Sequence, residues 1–184
     1  VLHEVEQLAP RLVCLHQGRV LAVGSREDIR RELPEHPFTV RIGTADPLPL
    51  IAVLRGITPE EIPAVGAALV AHGFGILEVP LNSPRPYESI AALAAKFGDR
   101  CLVGAGTVTT VGEVAQVGAA GGRLIVMPHA DTDVIREAKR QGLVCVPGVA
   151  TPTEAFAALN AGADGLKMFP ADQLPPSALR AWRA

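Results

Sequence analysis

The chain has 184 residues, 48% hydrophobic and only 4% aromatic, with a formal net charge of −2. Acids and bases alternate without basic blocks, which excludes the electrostatic footprint of a nucleic-acid binder and leaves small-molecule or protein partners. No apolar run approaches the ~18 residues of a membrane span and no signal-peptide pattern opens the sequence, so a soluble cytoplasmic protein is expected.

From the N-terminus, Leu2–Leu8 reads as the end of a helix. Arg11–Leu15 and Arg19–Val23 then read as a hairpin turning through His16-Gln17-Gly18, and Ser25 caps a short helix over Arg26–Leu33. Pro34, Pro37, Pro47 and Pro49 bracket a polar stretch, which places a boundary at residue 46: a small α+β appendage over 1–46, and the main domain over 47–184.

Beyond that boundary short apolar runs recur at Leu50–Leu54, Gly75–Val79, Cys101–Val103, Leu124–Met127, Leu143–Val146 and Gly165–Phe169. Their starts lie roughly 20–26 residues apart, the spacing of βα units with short loops. Continuous apolar runs of this length suit parallel strands covered on both faces, so the fold class is α/β with about six βα units. Thr58-Pro59-Glu60-Glu61 signals a helix start, with Ile62, Val65, Leu69 and Val70 as the inward stripe. Thr151-Pro152-Thr153-Glu154 repeats the signal, and in the helix from Asp131 the residues Val134, Ile135 and Ala138 face inward. Cys14, Cys101 and Cys145 are far apart and lie in apolar runs, so buried reduced thiols are expected rather than disulfides or metal ligands.

In parallel α/β folds chemistry gathers at the C-terminal ends of strands. Arg55-Gly56 follows the first run. Glu78 closes the second, before Pro80-Leu81-Asn82-Ser83, and Gly104-Ala105-Gly106-Thr107 follows the third. Pro128-His129 follows the fourth, Pro147-Gly148 the fifth, and Lys167 lies inside the sixth. The chain has only three lysines, and Lys167 alone is flanked by apolar strand residues, Leu166 and Met168-Phe169-Pro170. Lost hydration disfavours its ammonium form and makes it a candidate nucleophile; a strand-end lysine paired with an acid is the other reading. Glu78, between Ile76-Leu77 and Val79-Pro80, is a candidate general acid/base, or else the partner of Arg55 or Lys167 in an ion pair. Arg55 could fork onto a carboxylate or phosphate, and the Thr107 hydroxyl onto a carboxylate. Gly104 and Gly106 lack the third glycine and the downstream acid of a dinucleotide site. His129 reads as a loop histidine or a site wall, with no second histidine or acid cluster to make it a metal ligand.

The segments LIAVLRGITPEE, GILEVPLNSP, LVGAGTV, LIVMPH, VCVPGVATPTEA and GADGLKMFPA, in this order, resemble the 2-keto-3-deoxy-6-phosphogluconate and 2-keto-3-deoxy-6-phosphogalactonate aldolases. The resemblance implies a (β/α)8 barrel, here truncated after about six βα units, a homo-oligomer that is commonly a trimer, and no cofactor or metal. It makes Lys167 the Schiff-base lysine, Glu78 the proton donor and acceptor, and Arg55 and Thr107 substrate-binding groups. Asn82, Pro128 and Pro147, at the same strand ends, complete the candidate binding set. LRGI and PLNSP resemble the galactonate branch, which implies cleavage of 2-dehydro-3-deoxy-6-phosphogalactonate to pyruvate and glyceraldehyde 3-phosphate. The N-terminal LHEVEQLAPRLVCLHQGRVLAVGSREDIRREL resembles the tail of an ABC-transporter ATPase domain without its nucleotide motifs. The alternative functions are therefore a non-catalytic interaction module, truncated or fused, and a transporter-associated protein.

Overall fold

The computed structural model describes residues 12–16, 19–24, 50–174, 177, 178 and 182. The chain divides into two compact units, Val1–Leu48 and Pro49–Ala184. In the first, β1 (Leu12–His16) and β2 (Arg19–Gly24) form an antiparallel hairpin, as expected from sequence. The register shifts between Cys14 and Leu15, which pair with Ala22 and Val20, so Leu21 is the extra residue of a bulge. The helices expected at 2–8 and 26–33 lie outside the described residues.

The second unit alternates strand and helix. Its strands are β3 (Ile51–Val53), β4 (Ile76–Pro80), β5 (Leu102–Gly106), β6 (Leu124–Val126), β7 (Val144–Val146), β8 (Gly148–Val149) and β9 (Lys167–Met168). Its helices are α1 (Ile62–Ala71), α2 (Pro86–Phe97), α3 (Val111–Ala119), α4 (Thr132–Arg140) and α5 (Pro152–Asn160). β3 to β7 form a parallel sheet in sequence order, and β8 pairs in parallel with β9. Parallel neighbours need long crossovers, which the helices supply. Pro147 separates β7 from β8 because it has no N–H to give the ladder, yet its carbonyl still accepts from the Lys167 amide at 3.0 Å. The sheet described is open rather than a closed barrel.

Leu77, Val79, Val103, Leu124 and Ile125 are almost completely buried on the strands, as is Met127 just after β6, and Ile90, Leu93, Val114, Val117 and Ile135 cover them from the helices. Burial on both strand faces explains why the sequence shows runs rather than alternation. Truncating one of these, such as Leu77→Ala, costs about 2–5 kcal/mol. Cys101 and Cys145 are free and buried, as expected, and the Cys14 side chain lies outside the described residues.

The helix starts follow local chemistry. Thr110 with Glu113 and Thr151 with Glu154 each form a reciprocal capping box, and Asp131 accepts from the amides of Asp133 and Val134. Such a cap contributes about 1 kcal/mol. Val134, Ile135 and Ala138 are buried in α4, in agreement with the expected face. The first helix differs from expectation. Residues 58–61 make a separate turn, with the Glu61 carboxylate accepting from the Thr58 amide at 2.8 Å, and α1 begins at Ile62. Pro63 cannot donate to the Pro59 carbonyl, so the α-helical ladder cannot reach back through Pro59. Of the expected inward stripe, Ile62 is buried and Leu69 and Val70 pack against the core, whereas Val65 is exposed and Gly66 is buried in its place.

Candidate active site

Two assignments at the strand ends shift by a residue or two. Glu78 lies inside β4, two residues before its end, and Gly104, Ala105 and Gly106 lie inside β5, so only Thr107 follows that strand. Register explains the glycines. Val53, Glu78, Gly104 and Leu124 pair in turn across the sheet and so share one face. A Cβ on Gly104 would meet the Leu124 carbonyl oxygen at 1.9 Å, and one on Gly106 would meet the Glu78 Oε1 at 1.8 Å. The two glycines exist to admit a neighbouring backbone and a carboxylate, not a nucleotide.

Glu78 is only 5% exposed. Burial pushes its carboxyl above the ordinary glutamate range, and the charges of Lys167 and then Arg55 offset part of that rise. Lys167, half-buried on β9, is moved the other way. Burial holds its ammonium below the usual lysine range, the Glu78 charge opposes this, and the Arg55 charge adds to it. The Lys167 Nζ also lies 4.8 Å from the centre of the Phe169 ring. These opposite displacements narrow the gap between an acid and an amine, the direction that eases proton transfer between them. The ion-pair reading of Glu78 takes a weaker form here: the three groups feel one another's charge, but no direct pair joins them among the described residues.

Arg55 is exposed in the turn after β3 and donates to Asn82 Oδ1 at 3.1 Å. The neighbouring Ser83 is buried, and its hydroxyl accepts from the Gly56 amide at 3.0 Å. Thr107 is half-buried with φ 59°, a left-handed backbone that non-glycine residues seldom adopt. Such conformations concentrate where surrounding structure must aim a group. Pro128 is half-buried after β6, and Pro147 is buried between β7 and β8. A Cβ on Gly148 would stand 2.7 Å from the Pro128 carbonyl oxygen, so these two turns pack backbone to backbone. His129 is exposed, as an ordinary loop histidine would be.

Glu78, Lys167 and Arg55 are thus brought together electrostatically, and Asn82 joins them through Arg55. Thr107, Pro128 and Pro147 stand at the same end of the strands, following β5, β6 and β7. The sequence reading missed Ser83 and the contact role of Gly106. A serine between Asn82 and Pro84, and a glycine two residues after another in an apolar run, were the available signals.

A parallel α/β sheet in sequence order, with polar groups gathered toward the leaving ends of its strands, is the arrangement of the barrel-type α/β class, whose sites lie at that end. The model of the KDPG and KHG aldolase family matches residues 44–181, and the chain belongs to that family. It is 52% identical over 136 residues to a probable 2-dehydro-3-deoxy-6-phosphogalactonate aldolase of Rhizobium meliloti (strain 1021), an alignment covering 74% of this chain and 64% of that one. The chain therefore spans about two thirds of that relative's length. A solved structure described as native KDPGal aligns with a TM-score of 0.72 and 44% identity, covering 77% of this chain and 69% of the other. A KDPG aldolase from Legionella pneumophila, with pyruvate captured as a covalent carbinolamine, aligns with a TM-score of 0.65 and 32% identity over 72% of this chain and 65% of that one.

Proposed function

We propose that this chain carries the Schiff-base site of an aldolase that cleaves 2-dehydro-3-deoxy-6-phosphogalactonate into pyruvate and glyceraldehyde 3-phosphate. The observation that carries the proposal is the placement of Lys167 and Glu78. A half-buried lysine with a depressed pKa faces the field of a buried carboxylate with a raised one. The pyruvate carbinolamine in the Legionella relative and the galactonate activity named for the Rhizobium relative support the same reading.

In the reaction, the neutral amine of Lys167 attacks the C2 ketone to give a carbinolamine, and loss of water gives the protonated imine. The C4 hydroxyl then loses its proton and the C3–C4 bond breaks, releasing glyceraldehyde 3-phosphate. The electron pair of that bond passes into the imine, which becomes an enamine. Protonation at C3 and hydrolysis by water release pyruvate and restore the lysine. Glu78 carries the protons, giving one to the departing hydroxyl and taking one from the C4 hydroxyl. The Thr107 hydroxyl binds the substrate carboxylate, Arg55 with Asn82 holds an anionic group of the substrate, and Pro128 and Pro147 wall the site. We place this activity in the cytoplasm, in a homo-oligomer that is a trimer. The exposed Phe156 and Leu159, one turn apart on α5, support an assembled form.

The test is incubation of the folded chain with pyruvate and borohydride. Reduction of the imine should leave a carboxyethyl group on Lys167, located by peptide mass spectrometry. Folded, soluble protein with no adduct at Lys167 would overturn the proposal.

A further inference from the structure

The turn carrying Arg55 is held from outside the sheet by the loop after β4. Three tethers join them. Asn82 accepts from the Arg55 guanidinium at 3.1 Å, Ser83 accepts from the Gly56 amide at 3.0 Å, and one nitrogen of Arg85, Nη2, donates to both oxygens of Glu60 at 2.6 and 2.7 Å. The partners are 27, 27 and 25 residues apart, so all three are tertiary contacts between the same two loops. Arg85 is also bound to Glu88 at 3.1 Å, which anchors it to the first turn of α2.

Arg85 itself has an unusual backbone, with φ 43° and ψ 55° at the residue before α2, and it makes no side-chain cap for that helix. A left-handed arginine persists only where its surroundings specify it. Here that backbone accompanies a guanidinium that bridges Glu60 on the other loop and Glu88 on its own helix. Exposed ion pairs contribute little to stability. A planar guanidinium held at two of its nitrogens, Nη2 by Glu60 and Nη1 by Glu88, is nevertheless fixed in orientation, because its donors lie in one rigid plane.

We infer that Arg85 is a positioning residue: through Glu60 it clasps the β3–α1 turn to the β4–α2 loop and so sets where the Arg55 guanidinium stands relative to Lys167 and Glu78. The inference deepens the aldolase reading and rests on it for its functional meaning, but its physical content can be measured separately. The charged groups whose fields reach Lys167 are Glu78 from β4 and Arg55 from the β3–α1 turn. The Arg55 charge adds to the burial that holds the Lys167 ammonium below the usual lysine range. A loosened clasp lets that charge drift, and the lysine then takes up its proton more readily.

With only three lysines in the chain, ¹³C-labelled lysine lets the Cε signal of Lys167 be titrated by NMR, with Lys167→Met for assignment. Arg85→Gly relaxes the left-handed backbone while removing the bridge to Glu60 and Glu88. It should raise the Lys167 pKa by a few tenths of a unit, about a two-fold fall in its neutral fraction. Arg55→Met should raise it further, and the double variant should match Arg55→Met alone, since Arg85 acts through Arg55. Glu60→Gln, which leaves α2 untouched, should repeat the Arg85→Gly shift, and Arg85→Lys should fall between that variant and the parent. An unchanged Lys167 titration in both Arg85→Gly and Glu60→Gln, or additive shifts in the double variant, would overturn the inference. Pyruvate trapping on the same proteins separates the two claims. A parent chain without an adduct but with the expected titration shifts refutes the aldolase reading and leaves the clasp standing. An adduct with no titration shift does the reverse.

Discussion

Two regions of the second unit each hold a lysine and an acid, and they have opposite characters. Near the entering ends of β7 and β9, Lys139 from α4 binds Asp164 at 2.6 Å and the Leu143 carbonyl at 2.9 Å, while Asp164 also accepts from the Cys145 amide at 2.8 Å. At the leaving ends, Lys167 and Glu78 share a field without a direct bond. Burial acts on both acids in the same sense, upward. At Asp164 the bonds to Lys139 and Cys145 overcome it and the carboxyl titrates below its ordinary range, whereas at Glu78 burial prevails and the carboxyl titrates above it. A satisfied pair holds strands together, and an unsatisfied one keeps its protons available.

The sharpest way to break this contrast is to remove each lysine. Lys167→Met should abolish the pyruvate adduct completely, while Lys139→Met should keep it and lower the melting temperature instead. Next in size, Glu78→Gln preserves shape but not proton transfer, so imine formation should slow by about 10²–10⁴-fold in a trapping time course. Its effect on stability has the reverse sign to a normal acid deletion. A folded-state pKa above the ordinary 4.5 means the Glu78 carboxyl favours folding below that pH and loses this contribution as pH rises through its folded value. Glu78→Gln should therefore melt no lower than the parent at pH 7, and a clear drop would show that the charge is structurally satisfied after all.

Gly106→Ala tests the same carboxylate from the backbone side. The added methyl occupies the place of the Glu78 Oε1. Overpacking should cost about 1–3 kcal/mol in denaturant unfolding, and trapping should slow toward the Glu78→Gln rate. The smallest effect belongs to Asp164→Asn. Its side chain and that of Lys139 are 40% and 31% exposed, so screening limits the loss to about 1 kcal/mol, with the adduct retained. Because its folded pKa lies below the ordinary 3.8, this contribution is present above that pH and disappears as pH falls through the folded value. The difference in melting temperature between parent and variant should accordingly vanish in acid.

Much of this is legible in the sequence because it depends on local pattern. The apolar runs become strands, the central ones buried on both faces, and Thr151 and Asp131 start helices because capping is settled within four residues. Lys167 and Glu78 are conspicuous as charges where an apolar run gives them no water. What escapes the sequence depends on which distant residues meet. Thr58-Pro59 carries a helix-start signal, but Pro63 moves the start to Ile62. Gly106 looks like part of a turn until the register with β4 places a carboxylate against it. Arg85 and Glu60 are ordinary surface charges in sequence, and only the folding of one loop onto another makes them partners.

β8 and β9 share just two residue pairs, Gly148 with Lys167 and Val149 with Met168. In hydrogen-exchange terms, amides of β4 to β6 should open only with the whole unit, while those of 167–169 should exchange through a smaller, local excursion. The residue assigned the covalent step thus sits on the segment whose protection a bound substrate can change most. Slowed exchange at Lys167 and Phe169 after reductive trapping would register the nucleophile being locked in place, without any change in the centre of the sheet.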